Sequence, residues 1–345
     1  MSKLRIGIVG VGGIAVGRHI PTFQQMNDSV EITAVYDVNE ERAAQVAKDF
    51  DIPNVVKDLE DIFPLVDAVT ICTPNKFHAE FTIAALHAGV HVFCEKPMAM
   101  TPDECERMRE AEEKSGKVLS IAYHYRFMKE AQAAKNIMQE GVVGNPLVTR
   151  VKALRRRKVP GWGVFTNKEL QGGGSLIDYG CHLLDLSLWL LGNPKPVEVL
   201  GRVYNSVSRK PNLLNEWGDI NAESFSVDDH VTAFITFEDG SSLQFETSWA
   251  ANIPDDEESI SISGDLGGMD VFPVRIYKPS HGVWTNSDVT WMSGDDNPSV
   301  PQATNFVETC LGQAEQVVKS EEAATVSTII DAIYRSHELG TSIKL

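Results

Sequence analysis

Leu4-Arg5-Ile6-Gly7-Ile8-Val9 runs directly into Gly10-Val11-Gly12-Gly13-Ile14-Ala15, and this junction constrains the fold more than any other stretch of the chain. The hexapeptide matches G-x-G-x-x-G/A, which is weak alone and specific only after a buried strand and before a helix within a βαβ unit. Here a β-branched strand precedes it, a helical segment follows, and a second strand over residues 30–36 ends in Asp37. Each position has a physical task. Gly10 allows the tight turn, and Gly12 lets backbone N–H groups approach a pyrophosphate, with Gly13 and Ile14 continuing the same contact. Small Ala15 lets helix and strand pack closely, and the helix N-terminus favours an anion. Asp37 falls where a carboxylate accepts hydrogen bonds from an adenosine ribose, a choice that favours NAD over NADP, whose 2′-phosphate it would repel. A glycine-rich turn with a surface aspartate would give the same letters. Pro21 should kink or shorten the first helix.

The βα rhythm continues with a helix over 40–50, a short strand over 54–56, a short helix over 59–63 and an apolar strand over 68–72. Such alternation means a doubly wound parallel sheet covered on both faces. The fourth strand exits into Thr73-Pro74-Asn75, which share the carboxyl edge with the glycine loop, and His78 follows in the next helix, placed equally well to pack or to touch a ligand. The fifth strand ends abruptly in Glu95-Lys96-Pro97. Proline stops the ladder there, and a lysine at a strand's carboxyl end points toward whatever the sheet holds. Lys96 is therefore the first candidate for chemistry, although a lysine that merely caps a strand would look the same. A helix over 102–117 and a sixth strand over 118–122 complete an α/β dinucleotide-binding domain assigned to residues 1–125.

Composition limits the partners. Lys plus Arg number 31 against 48 Asp plus Glu, a net charge of −17 that repels nucleic acid and anionic membranes and suits a small neutral substrate. Five well-separated cysteines, odd in number and without a C-x-x-C pair, read as free thiols of a reducing cytoplasm. No signal-peptide pattern and no membrane-length apolar run is present, so a cytoplasmic protein is expected.

Residues 126–345 read differently, as an α+β domain with a mostly antiparallel sheet. Long strands are expected over 146–157, 197–207, 230–238 and 241–249, the last two flanking an Asp239-Gly240 hairpin signal, with further strands within 259–263 and 269–277. Helices over 302–319 and 321–339 close the chain. The basic run Arg155-Arg156-Arg157-Lys158 reads as a solvated strand end, with a substrate phosphate as the alternative. Gly172-Gly173-Gly174 forms a flexible approach to a helix for which Ser175 is a plausible N-cap. On that helix Asp178, His182 and Asp185 share one face, and acids and imidazoles in so apolar a setting suggest a polar cavity wall. A hydrogen-bonded core network remains the alternative; for a metal, no convincing further ligand is found.

Taken together, the glycine loop, Thr73-Pro74-Asn75 with His78, Ala88 to Val92 leading into Glu95-Lys96-Pro97, and Gly174 through Asp185 resemble the Gfo/Idh/MocA family of oxidoreductases over the whole chain. The resemblance implies a Rossmann domain followed by an open-faced sheet domain that often forms oligomer contacts, here a homo-dimer or tetramer. It implies catalytic positions for Lys96, Asp178 and His182, and cofactor contacts at the glycine loop, Asp37, Thr73, Pro74, Asn75, His78, Glu95 and Lys96. Beside Lys96, Asp178 and His182, substrate contacts are expected at Tyr125, Arg126 and Trp162, since aromatic and guanidinium groups suit a sugar's CH face and hydroxyls. Val90 stands where a lysine is common in the family, and Glu130 where a proline often follows the Arg-Phe pair. The expected reaction is hydride transfer between NAD and a secondary hydroxyl of a sugar, inositol or related polyol. A redox-cycling glycosidase or lyase, or a metabolite-sensing regulator, is the alternative the family allows.

Overall fold

Short β-branched strands alternating with helices build one parallel sheet in the first part of the chain. The computed structural model describes residues 3–345. Strands β1 (Leu4–Val9), β2 (Val30–Tyr36), β3 (Asn54–Val56), β4 (Ala68–Ile71), β5 (His91–Cys94) and β6 (Leu119–Ile121) lie in the order β3-β2-β1-β4-β5-β6. Every pairing among them is parallel. That order reverses between β1 and β4, and ligands of such sheets gather in the crevice beyond the carboxyl ends at this switch point. Ile6, Ile8, Val35, Ala68 and Phe93 are buried in one core with Ala15 and Phe23. The helix Pro102–Ser115 shows how locally the elements are specified. Thr101 and Glu104 form a reciprocal capping box, Pro102 opens the first turn, and Gly116 ends it at φ 64°.

Two compact units emerge: residues up to His124 together with Asn297–Ala324, and Tyr125–Asp296 together with Thr325–Leu345. The return of 297–324 to the first unit departs from a simple split of the sequence at 125/126. Its helix Ser299–Cys310 places Ala303, Phe306 and Val307 in the core of the parallel sheet. Phe306 stacks on Phe93 with ring centroids 5.0 Å apart.

The second unit is a nine-stranded sheet: β7 (Pro146–Leu154), β8 (Pro196–Tyr204), β9 (His230–Phe237), β10 (Ser242–Ser248), β11 (Glu257–Gly264), β12 (Gly268–Asp270), β13 (Arg275–Ser280), β14 (Val283–Asp288) and β15 (Ile343–Lys344). Their order is β14-β13-β12-β11-β7-β10-β9-β8-β15. Only β7 and β10 pair in parallel, so the sheet is mixed but mostly antiparallel. Asp239-Gly240 joins β9 to β10 with Gly240 at φ 85°, as its hairpin signal requires. Two expectations are corrected. The single strand expected within 269–277 is two, β12 and β13, separated by a turn that contains Pro273, which has no N–H to give a ladder. Strand β14 was not foreseen, because its residues are polar and largely exposed.

One face of this sheet is covered by the helix Cys181–Leu190, almost wholly buried, and Gly180 before it is pressed on β10: a Cβ there would lie 2.9 Å from side-chain atoms of Phe245 and Thr247. Leu200, Phe234, Gln244 and Arg150 occupy one register row and are exposed, so the other face is open.

Candidate active site

The first unit offers a dinucleotide cradle at the switch point. Gly10 has φ +86° and a Cβ there would sit 3.0 Å from the Cys72 carbonyl, so the tight turn admits no side chain. At Gly13 a Cβ would meet nothing within 4 Å, which leaves open space above the loop. Asp37 braces the loop: its carboxylate accepts the Val11 N–H at 2.8 Å and the Asn39 N–H at 2.9 Å. Ile14 and Val38 are 40% and 85% exposed beside it, apolar surface that a nucleotide would cover. The expected single helix after the loop is a π-helical turn, Ala15–His19, followed by the α-helix Ile20–Gln25 with Pro21 in its first turn. A wider turn just before the proline relieves the clash its ring makes with the carbonyl four residues back. The residues fit an NAD-type cofactor, which Gly10, Gly12, Gly13, Ile14 and Asp37 could hold, with Thr73, Pro74 and Asn75 at the neighbouring strand end.

Lys96 sits at the end of β5 on a framework that the sequence did not disclose. His19 Nε2 lies 2.6 Å from Glu95 Oε1 with both side chains buried, and Glu95 Oε2 accepts the Lys96 N–H at 3.1 Å. Burial alone would raise the Glu95 carboxyl. The His19 hydrogen bond, with the charges of His19, Arg18 and Lys96, outweighs it and holds the group down at about 2. Glu95, expected at the cofactor, is thus committed to His19 and to the backbone of Lys96. His78 takes the packing alternative: it is fully buried, with Nδ1 2.8 Å from the Pro97 carbonyl and Nε2 3.1 Å from that of Thr73. It ties the two strand-end loops together from beneath.

His124, at the end of this unit, is pushed down to about 3, first by burial and then by the positive charge of Arg18. Its folded pKa lies below its unfolded one, so the native state binds fewer protons between those values. The stability it supports is complete above about pH 6.5 and falls by up to about 1.4 kcal/mol per pH unit below it. Wild type should therefore lose its advantage over His124→Gln as denaturation is measured from pH 7 to pH 5. A pH-independent difference would contradict the burial of a neutral imidazole.

In the second unit the polar side chains converge around the π-helical turn Leu176–Gly180 and the α-helix after it. The His182 ring stacks on Tyr125 at 4.9 Å and 25°. Asp178 Oδ2 accepts the Trp249 indole N–H at 3.1 Å and lies 3.7 Å from an Arg155 guanidinium nitrogen. Tyr125 and Tyr179 both donate to Glu258 Oε2, at 2.8 and 2.7 Å. Burial, and then the Glu258 charge, push both phenols up, so they stay protonated as donors at neutral pH. The arrangement holds an imidazole and a carboxylate four residues apart on one helix, with ring planes and donors fixed around them.

Asp185 takes the core-network alternative: it and Arg126, expected at the substrate, are both completely buried and bound to each other at 2.9 and 2.6 Å. Ser175 stands at the N-cap position of the π-helical turn but makes no capping bond: it is already helical at φ −55° and its hydroxyl donates to Asp228. The glycine run is not flexible, because Cβ atoms at Gly173 and Gly174 would each sit 2.0 Å from the Tyr334 hydroxyl and the Asp228 carbonyl. Asp228 itself accepts from the Gly174 and Leu176 N–H groups, the Ser175 hydroxyl and the Tyr334 hydroxyl, at 2.7–2.9 Å. The basic run follows the end of β7 at the surface and is paired locally, Arg156 with Glu216 at 2.8 Å and Lys158 with Asp256, as a solvated strand end can be. Among the described residues no group of three or more His, Cys, Asp or Glu is arranged to hold a metal, and no helix is long and apolar enough to cross a membrane.

Residues 4–123 match the family model for the Gfo/Idh/MocA oxidoreductases with an NAD-binding Rossmann fold, and residues 131–270 match the Gfo/Idh/MocA C-terminal domain. The chain belongs to the Gfo/Idh/MocA oxidoreductase family. It is 36% identical to D-glucoside 3-dehydrogenase of Escherichia coli over 100% of this chain and 98% of that protein. Among solved structures, aldose-aldose oxidoreductase from Caulobacter crescentus, complexed with glycerol, superposes with a TM-score of 0.82 at 25% identity over the full length of both chains. Levoglucosan dehydrogenase in complex with NADH gives a TM-score of 0.85 at 23% identity, covering 99% of each chain, which is a likeness of fold.

For this Gfo/Idh/MocA oxidoreductase, sequence reasoning missed His19, Asp228 and Glu258. A faint signal existed for two of them. His19 stands with Arg18 directly before the apolar Ile20-Pro21 at the start of a helix, and Asp228-Asp229 places two acids against the start of a strand.

Proposed function

We propose that this enzyme oxidises a secondary hydroxyl of a sugar with NAD, and that its substrates are D-glucosides oxidised at C3. The observation that carries the reading is the full-length likeness to D-glucoside 3-dehydrogenase, in a chain whose sequence carries Lys96, Asp178 and His182. Bound NAD supplies the hydride acceptor. His182, its ring plane fixed by Tyr125, takes the hydroxyl proton. Asp178, held by Trp249 and Arg155, orients the imidazole or a neighbouring hydroxyl. The Lys96 ammonium stabilises negative charge developing on the carbinol oxygen. The test is to incubate the enzyme with NAD and methyl D-glucoside and locate the carbonyl by carbon NMR. A ketone at C3 supports the reading; a ketone at C2 or C4 replaces it.

The cofactor in this reading is NAD. Asp37→Ser should raise the KM for NAD about tenfold and narrow its margin over NADP, because a carboxylate that holds the ribose hydroxyls and repels a 2′-phosphate is lost. Equal use of both cofactors by wild type would remove the proposal. The reading also includes a homo-dimer or tetramer built on the open sheet face around Leu200 and Phe234; a monomeric mass by light scattering would exclude it.

A further inference from the structure

Three large aromatic side chains stand together beyond the end of β7, two of them in solvent. Trp162 and Trp217 are 53% and 39% exposed, with ring centroids 5.4 Å apart and planes at 47°. Phe165 meets Trp162 edge-on at 6.2 Å. Apolar surface clustered in this way marks a place that something covers. A single side chain ties the cluster to the proposed chemistry. The Arg155 guanidinium carbon is 4.1 Å from the Tyr179 ring centroid and 4.8 Å from that of Trp217, while its nitrogen reaches Asp178. Trp217 therefore stands one guanidinium away from the acid assigned to the reaction. The loop that carries it also lines an open cavity of about 520 Å³ through Leu214, Asn215 and Glu216, facing Arg156, Arg157 and Asn252. That volume lies within the range of about 300–1,000 Å³ typical of ligand pockets.

We propose that Trp162 and Trp217 form a subsite for the ring that a glycoside carries on its anomeric oxygen. A monosaccharide held by its reacting hydroxyl at Asp178 and His182 has nothing further to lay on the indoles, whereas a second ring offers a CH or π face to them. The amide, carboxylate and guanidinium groups of the adjoining cavity suit a ring with polar edges. The inference rests on the reading of the enzyme as a glucoside dehydrogenase and specifies which glucosides it prefers.

The test compares methyl D-glucoside and phenyl D-glucoside in both anomers, with cellobiose, as substrates and as calorimetric ligands of the NAD-saturated enzyme. Wild type should favour phenyl glucoside or cellobiose over methyl glucoside about five- to tenfold in kcat/KM, mainly through KM, the scale of one aromatic contact. Which of the two wins tells an aryl aglycone from a second sugar. Trp217→Leu and Trp162→Leu should bring the ratio near unity, and Trp217→Phe should restore part of it. A preference that survives both leucine variants, or a wild type that treats all the ligands alike, overturns the subsite and leaves the dehydrogenase reading standing. Calorimetric preference for the ringed ligands without any nicotinamide reduction keeps the subsite and removes the dehydrogenase.

Discussion

Replacing Asp185 with alanine should lower the unfolding free energy by about 3–5 kcal/mol, because it strands a guanidinium in the core. Arg126 and Asp185 are both completely buried and joined by two hydrogen bonds of 2.9 and 2.6 Å. The Arg126 guanidinium also lies 5.8 Å from the Trp189 ring centroid. Removing the carboxylate leaves that charge desolvated without its partner, whereas removing both charges leaves only a packing problem. The double replacement Arg126→Met with Asp185→Leu should therefore recover most of the loss. Guanidinium denaturation of the three variants checks both statements. A cost below about 1 kcal/mol for Asp185→Ala would show that the pair is solvated and its burial is wrong.

His182→Ala should reduce turnover on a glucoside by about 10²- to 10⁴-fold, the usual contribution of a positioned proton acceptor, while leaving NADH affinity unchanged. The ring is buried against Tyr125, whose hydroxyl is itself fixed on Glu258, so its plane is set before substrate arrives. Stopped-flow turnover paired with NADH fluorescence titration separates the two effects. A rate within threefold of wild type would take His182 out of the chemistry.

The parallel sheet was legible because its determinants are local: β-branched strands, a glycine loop and a capping box each lie within a few residues. Lys96, Asp178 and His182 stood out for a related reason, as charged groups inside apolar runs. What hid was contact between segments distant in sequence. Glu258 gathers the hydroxyls of Tyr125 and Tyr179, and Asp228 closes the turn that begins at Gly174, yet neither acid differs in its sequence setting from a surface carboxylate. Arg126 and Asp185 misled because a buried pair and a ligand-binding pair use the same residue types. Helix periodicity put Asp185 on the face of Asp178 and His182, but periodicity does not say what packs on that face, and Asp185 is buried on Arg126. The return of 297–324 to the first unit could not be read at all, since an apolar helix face does not say which sheet it joins.

The most direct measurement is the absorbance of reduced nicotinamide when the enzyme, supplied with NAD, is offered glucosides, free sugars and inositols, with Lys96→Ala in parallel. A rise that depends on a glucoside and is absent from Lys96→Ala is the predicted result. A rise that persists in Lys96→Ala, or bound NAD that no sugar reduces, would contradict a net sugar dehydrogenase working through that lysine.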